Sequence, residues 1–201
     1  MLCLIVLYGL HQILKVFMAI EATRRFSEDV QSGALEILLV SSLSPKAMIQ
    51  GHTAAFRSSF RKPVMQLRLL NGLFILAALC FPSAFGLSPR DEELALFCGV
   101  VFGGAMVLSF DLRAILWCGM RSALRFRGQT RAVLLTLLLV QGLPWFCIFL
   151  SFTGIGDHIN SFSGITIMMT SWLSGGALLD LALAWRSKRQ LTQGFRQLAA
   201  K

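Results

Sequence analysis

Apolar residues in this chain come in long blocks rather than on a stripe of helical or strand period. Five windows, 1–20, 64–86, 94–118, 132–153 and 162–185, lack a sustained polar face. Each approaches the ~20 residues that carry a helix across a hydrocarbon core about 30 Å thick. A helix that is apolar all round is either deep core or a membrane span. A chain of 201 residues cannot wrap five such helices in soluble protein. The alternation of barrel strands is missing, and helices satisfy their own backbone groups in lipid. The pattern predicts an all-α, polytopic transmembrane helix bundle, a single domain over 1–201. A polar segment, 21–63, separates spans one and two.

Composition agrees. Hydrophobic residues make up 55% of the chain and charged residues 14%, against about a quarter charged in soluble domains. The first window, "MLCLIVLYGLHQILKVFMAI", reads as a span and not as a cleaved signal. No basic residues precede it and no small-x-small site follows it, while Lys15 and "EATRR" stand at its far end.

The net charge of +9 changes the picture through its placement. Arg24, Arg25, Lys46, Arg57, Arg61, Lys62 and Arg68 lie between or beside spans one and two. Arg113, Arg121, Arg125, Arg127 and Arg131 surround the junction of spans three and four. Arg186, Lys188, Arg189, Arg196 and Lys201 follow span five. The other two loops hold Arg90 with Asp91, Glu92, Glu93 and Asp157. Basic residues gather at every second loop, as the positive-inside rule requires. The N-terminus is then expected outside, and the 21–63 segment and C-terminus in the cytoplasm. Membrane orientation accounts for the basic excess, so nucleic acid is not an expected partner.

Candidate chemistry is sparse. Cys3, Cys80, Cys98, Cys118 and Cys147 form no CxxC pair and read as small hydrophobes. There is no GxxxxGK[ST] and no HExxH, so neither a phosphate-cradling loop nor a metal site is expected. His11, His52 and His158 are scattered over span one, the polar segment and an outer loop. Gly99 and Gly103 have the spacing of a close-packing helix face, as do Ser171, Ser174, Gly175 and Gly176 in span five. Gly142 and Pro144 predict a kink in span four. Asp111 and Asp180 lie inside membrane windows, where a central Asp costs about 2.5–3.5 kcal/mol of insertion energy. Such acids mark function or a structural pair, and the nearby bases expected to pair with them are Arg113 and Arg68.

The polar segment, "RRFSEDVQSGALEILLVSSLSPKAMIQG" (24–51), mixes both charges with apolar residues. The helix of span one runs on through Glu21, Arg24, Arg25 and Glu28 until Gly33 breaks it. "ALEILLV" is apolar apart from Glu36. Ser44 and Pro45 then suit the N-cap and first turn of a second helix leading through Lys62–Pro63 into span two. An apolar tip on such a loop is a contact surface or an element lying on lipid.

Its motif resembles the cytoplasmic loop of permeases of the type-2 ABC exporter family. That pattern is an acid and Arg cluster, then Gly-(Thr/Ala)-Leu-Glu-x-Leu-Leu-x-(Thr/Ser)-Pro-Leu-Ser and a later Ile-x-Gly. Here it is carried by Arg24, Arg25, Glu28, Gly33, Ala34, Leu35, Glu36, Leu38, Leu39, Leu43, Ser44, Ile49 and Gly51. Ser42 departs from the usual Pro. The resemblance implies a coupling segment that docks on a separate cytoplasmic ABC ATPase. Gly33 would supply the bend, Glu36 a polar anchor, and Leu38, Leu39 and Leu43 buried contact, with Arg25, Glu28, Leu35 and Ser44 completing the coupling set. It implies an ATP-driven exporter permease in the plasma (inner) membrane, paired with a second copy or homologous half. The chain itself would bind no cofactor and catalyse nothing, ATP residing on the partner. In the family the motif follows the second of six spans, whereas here it follows the first, so an N-terminal helix is expected to be missing. The alternatives are a non-transporting scaffold or regulatory subunit, or a truncated, inactive permease.

Overall fold

The computed structural model describes residues 2–34, 37, 44–86, 91–126, 128–155 and 162–199. Among them the chain is helices and short connections, with no strand. Helix α1 is Leu2–Gln31, α2 is Pro45–Cys80 and α3 is Asp91–Arg125. Then come α4, Gln129–Leu137, a π turn at Leu138–Gly142, α5, Leu143–Ile155, and α6, Phe162–Ala199. Among the described residues, five helical rods are long and apolar enough to cross a membrane, α4 and the π turn running into α5 as one. The all-α bundle expected from the pattern is thus the observed fold.

The helices are longer than the apolar windows that predict them. At roughly 1.5 Å per residue, the 36 residues of α2 span about 54 Å, well beyond a core of about 30 Å. Their charged ends therefore project from the apolar slab. Ser44 caps α2 as expected, its Oγ accepting from the Ala47 amide at 3.2 Å, with Pro45 in the first turn. Pro63 does not divide α2; the helix runs straight through it, forgoing one backbone hydrogen bond. In the fourth rod, Pro144 has no N–H to offer Val140, and the backbone widens just before it: the Leu143 amide donates to Leu138, five residues back. At the position where the sequence predicts a kink the structure has this π turn.

Helix α3 is the hub, packing most extensively on α6 and α1 and also on α2 and α4. The α1–α3 contact depends on Gly119, where a Cβ would stand 2.9 Å from the Ala22 Cβ. Gly103 faces a different neighbour, since a Cβ there would meet the end of the Leu173 side chain of α6, and Gly99 faces nothing within 4 Å. The expected Gly99–Gly103 seam is therefore not one interface. Two apolar clusters fill the interior. One gathers Met18, Phe26, Ile49, Ile115, Met120 and Leu191 towards the basic end. The other gathers Leu7, Leu67, Phe97, Val101 and Leu108 towards the opposite end.

Candidate functional site

Between the two apolar clusters lies a layer of buried and half-buried polar side chains contributed by every rod. Helix α1 presents His11, Gln12 and Lys15, its polar residues among "YGLHQILKVF". Lys15 Nζ forms an ion pair with Asp111 Oδ2 of α3, the two side chains 11% and 4% exposed. Asp180 of α6, wholly buried, lies beside Asp111 and within the field of Lys15. Neither Asp180 oxygen has a hydrogen-bond donor among the described residues. Next to this trio, Gln141 of the π turn donates to Gln12 Oε1 at 2.7 Å. Asn71 of α2 meets His11 Nε2 at 3.1 Å while donating to the Leu67 carbonyl at 2.7 Å. Tyr8, His11, Gln12, Lys15, Asp111 and Gln141 border a cavity of about 60 Å³ that Trp145 and Trp172 also line. Such a volume accommodates about two waters at roughly 30 Å³ each.

The pairing corrects one expectation. Asp111 does not turn to Arg113 or Arg68, its near neighbours in sequence or level. Both arginines are exposed on the outer surface, and Lys15 takes their place. Asp180, likewise expected to pair with a base, has Asp111 as its closest ionisable neighbour. Lys15 is ion-paired with Asp111, and Asp180 stands beside that pair with no ion pair of its own among the described residues. An ion pair at such depth is bound tightly only if its remaining polar atoms are satisfied, and the unmatched Asp180 leaves this layer incompletely satisfied.

Beyond the apolar window, the end of α1 forms a charged collar. Arg24 donates to Glu21 at 2.9 Å and to Glu28 at 2.7 Å. Arg25 donates to Glu21 at 2.7 Å and reaches Ser59 of α2 at 2.9 Å. The guanidinium of Arg24, with that of Arg25 behind it, holds the Glu21 carboxyl below its ordinary value. Asp29 meets His52 at 3.1 Å, and the His52 ring tilts onto Phe26 with centroids 4.4 Å apart. Burial lowers the His52 pKa, and Arg25 adds to this, against the opposing pull of Asp29. The ends of α1 and α2 are thereby stapled together.

The structure places Arg25 and Glu28 in this collar, and Gly33 at its end with φ 71°, a left-handed conformation that glycine adopts without strain. Ser44 caps α2. Leu35, Glu36, Leu38, Leu39 and Leu43 lie outside the described residues. Ile37 between them is 74% exposed, and its amide donates to the Gly33 carbonyl at 3.2 Å. Among the described residues no group of three His, Cys, Asp or Glu side chains is placed to hold a metal ion. Sequence reasoning missed Lys15, Gln12, Asn71 and Gln141 as members of the buried layer. The available signal was their recurrence as lone polar residues inside apolar windows. Comparison with models of protein families, with curated proteins and with solved structures finds no match to this chain.

Proposed function

We propose that this chain is the membrane-spanning subunit of an exporter driven by a separate cytoplasmic ABC ATPase. A second copy or homologous half would complete the path, in a plasma (inner) membrane with the C-terminus cytoplasmic. The observation that supports this most is the continuity of α1. One unbroken helix carries Lys15 in the buried layer and the Glu21–Arg24–Arg25–Glu28 collar, and it ends at Gln31, two residues before Gly33 opens the coupling-type motif. From Lys15 to Gln31 the helix rises about 24 Å at roughly 1.5 Å per residue.

A lever of that length converts a push on residues 33–44 into movement at the ion pair. The staple between Phe26, Asp29 and His52, with Arg25 on Ser59, makes α2 move with it. Closure of the ATPase would favour one tilt of the α1–α2 pair, and Lys15, with carboxyls on both α3 and α6 in its field, retains a partner in either tilt. The ATPase shifts the population only by as much as it binds one tilt better than the other. In co-expression with a cognate ATPase, the intact chain is expected to co-purify with it, and Glu36→Lys to abolish that association without reducing membrane insertion. Co-purification unchanged by Glu36→Lys contradicts the anchoring role of the segment.

A further inference from the structure

The outer face of α2 and α3 carries a groove of about 970 Å³, at the upper end of the size of small-molecule sites. Arg57, Arg61, Arg68 and Arg113 line its basic end, and Leu69 and Leu73 continue its wall towards the middle of the bundle. Arg68 is fixed by donating to Ser109 of α3 at 3.0 Å. None of the four arginines is in an ion pair with a carboxylate among the described residues. Two of them, Arg68 and Arg113, are the bases released because Lys15 serves Asp111 instead.

We propose that this groove binds an anionic phospholipid drawn from the leaflet at the basic end of the bundle. Its phosphate sits at the arginine-lined end and one acyl chain lies along the apolar wall. Two features of the groove match that ligand. Four unneutralised guanidiniums attract a phosphate, and those within reach meet it with paired hydrogen bonds. The apolar part has the reach of one leaflet: Arg68 to Leu76 rises about 12 Å at roughly 1.5 Å per residue, near half of a core about 30 Å thick. A basic pocket between helices at the cytoplasmic face is a recurrent form of lipid headgroup recognition. A second copy of this chain is the weaker occupant, because its own basic end would bring more positive charge to the same place. The assignment is independent of coupling to an ATPase.

Native mass spectrometry of the purified full chain in mild detergent tests this, with phosphatidylglycerol and phosphatidylcholine of matched chains as probes. Wild type is expected to retain phosphatidylglycerol selectively. Arg61→Gln and Arg68→Gln should each weaken that retention about fivefold, the equivalent of ~1 kcal/mol per basic residue, with phosphatidylcholine unaffected. Leu73→Trp, which fills the apolar wall without touching charge, should also reduce phosphatidylglycerol retention. Soluble glycerophosphate, lacking acyl chains, should not displace the bound lipid. Equal retention of both lipids by wild type overturns the proposal. So does selectivity unaltered in both arginine variants, or displacement of lipid by glycerophosphate. A stable dimer that excludes added lipid and cross-links through a cysteine introduced at Leu73 replaces the lipid with a second copy. Variants are compared only when they elute as a single species, and Leu73→Trp keeps the test open if an arginine variant does not fold.

Discussion

Lys15 of α1 and Asp111 of α3 form a buried ion pair across the middle of the bundle, with Asp180 of α6 beside them and without a donor of its own. This ion pair adds a polar tie to the apolar packing between the helix that leads to the coupling-type segment and the hub of the fold. Removing one partner of such a pair strands a buried charge and costs about 3–5 kcal/mol. Lys15→Met should therefore lower the melting temperature of the purified protein markedly. In a chain that also carries Asp180→Asn, Lys15→Met combined with Asp111→Asn should recover most of the loss, because no charge is then left alone. A double variant no more stable than Lys15→Met in that background contradicts the pairing.

Asp180 should behave differently from Asp111. It shares the cation of Asp111 rather than having one of its own, so Asp180→Asn removes a carboxyl and leaves the one-to-one pair in place. Stability is expected to hold or rise, whereas Asp111→Asn lowers it. Thermal unfolding of the two variants side by side checks this, and equal destabilisation would refute it. Where transport is measurable, loss of transport in Asp180→Asn at normal membrane abundance assigns Asp180 a part in the transport cycle.

The α1–α3 crossing has no room for a side chain at residue 119. Gly119→Val should destabilise the fold by about 1–3 kcal/mol through overpacking, and Ala22→Gly in the same chain should relieve part of that. Gly99→Ala, facing open space, should be silent within this chain. A Gly119→Val variant as stable as the wild type argues against this close approach.

The junction of α1 and α2 should be sensitive to mild acid. His52 has a lower pKa in the folded chain than the ordinary value of 6.5. Between those two values the unfolded chain binds more protons than the folded one, so stability rises with pH. The staple is expected to hold at neutral pH and to loosen as pH falls below about 6.5. Hydrogen exchange of the α1 end and the first turns of α2 should quicken at acid pH, and His52→Gln should flatten that dependence. A pH response unchanged in His52→Gln refutes the role of this histidine.

The sequence displayed those features that depend on local chemistry. Windows of apolar residues locate the five rods because lipid imposes its thickness on each helix separately. Ser44–Pro45 is a local cap, and Gly33 a local break, so both are visible in a few letters. Asp111 and Asp180 stand out because ionised groups are costly in apolar windows. Their partners were hidden because pairing depends on how helices rotate and cross. Arg113 is close to Asp111 in sequence but exposed on the surface of the same helix, and Lys15 reaches it only through the α1–α3 crossing permitted by Gly119. The same global geometry explains why Gly99 and Gly103, alike in pattern, meet different surroundings. Pro144 signalled a distortion, while its form as a π turn carrying Gln141 towards Gln12 depends on the packing of α1.

The most direct test of the account is the side of the membrane on which residues 33–44 lie. Ile37→Cys, at an exposed position, is introduced after replacing Cys3, Cys80, Cys98, Cys118 and Cys147, all free thiols. A membrane-impermeant maleimide should leave it unlabelled in intact cells and label it once the membrane is opened from the cytoplasmic side. Labelling in intact cells would put the segment out of reach of any cytoplasmic ATPase and contradict the proposed function.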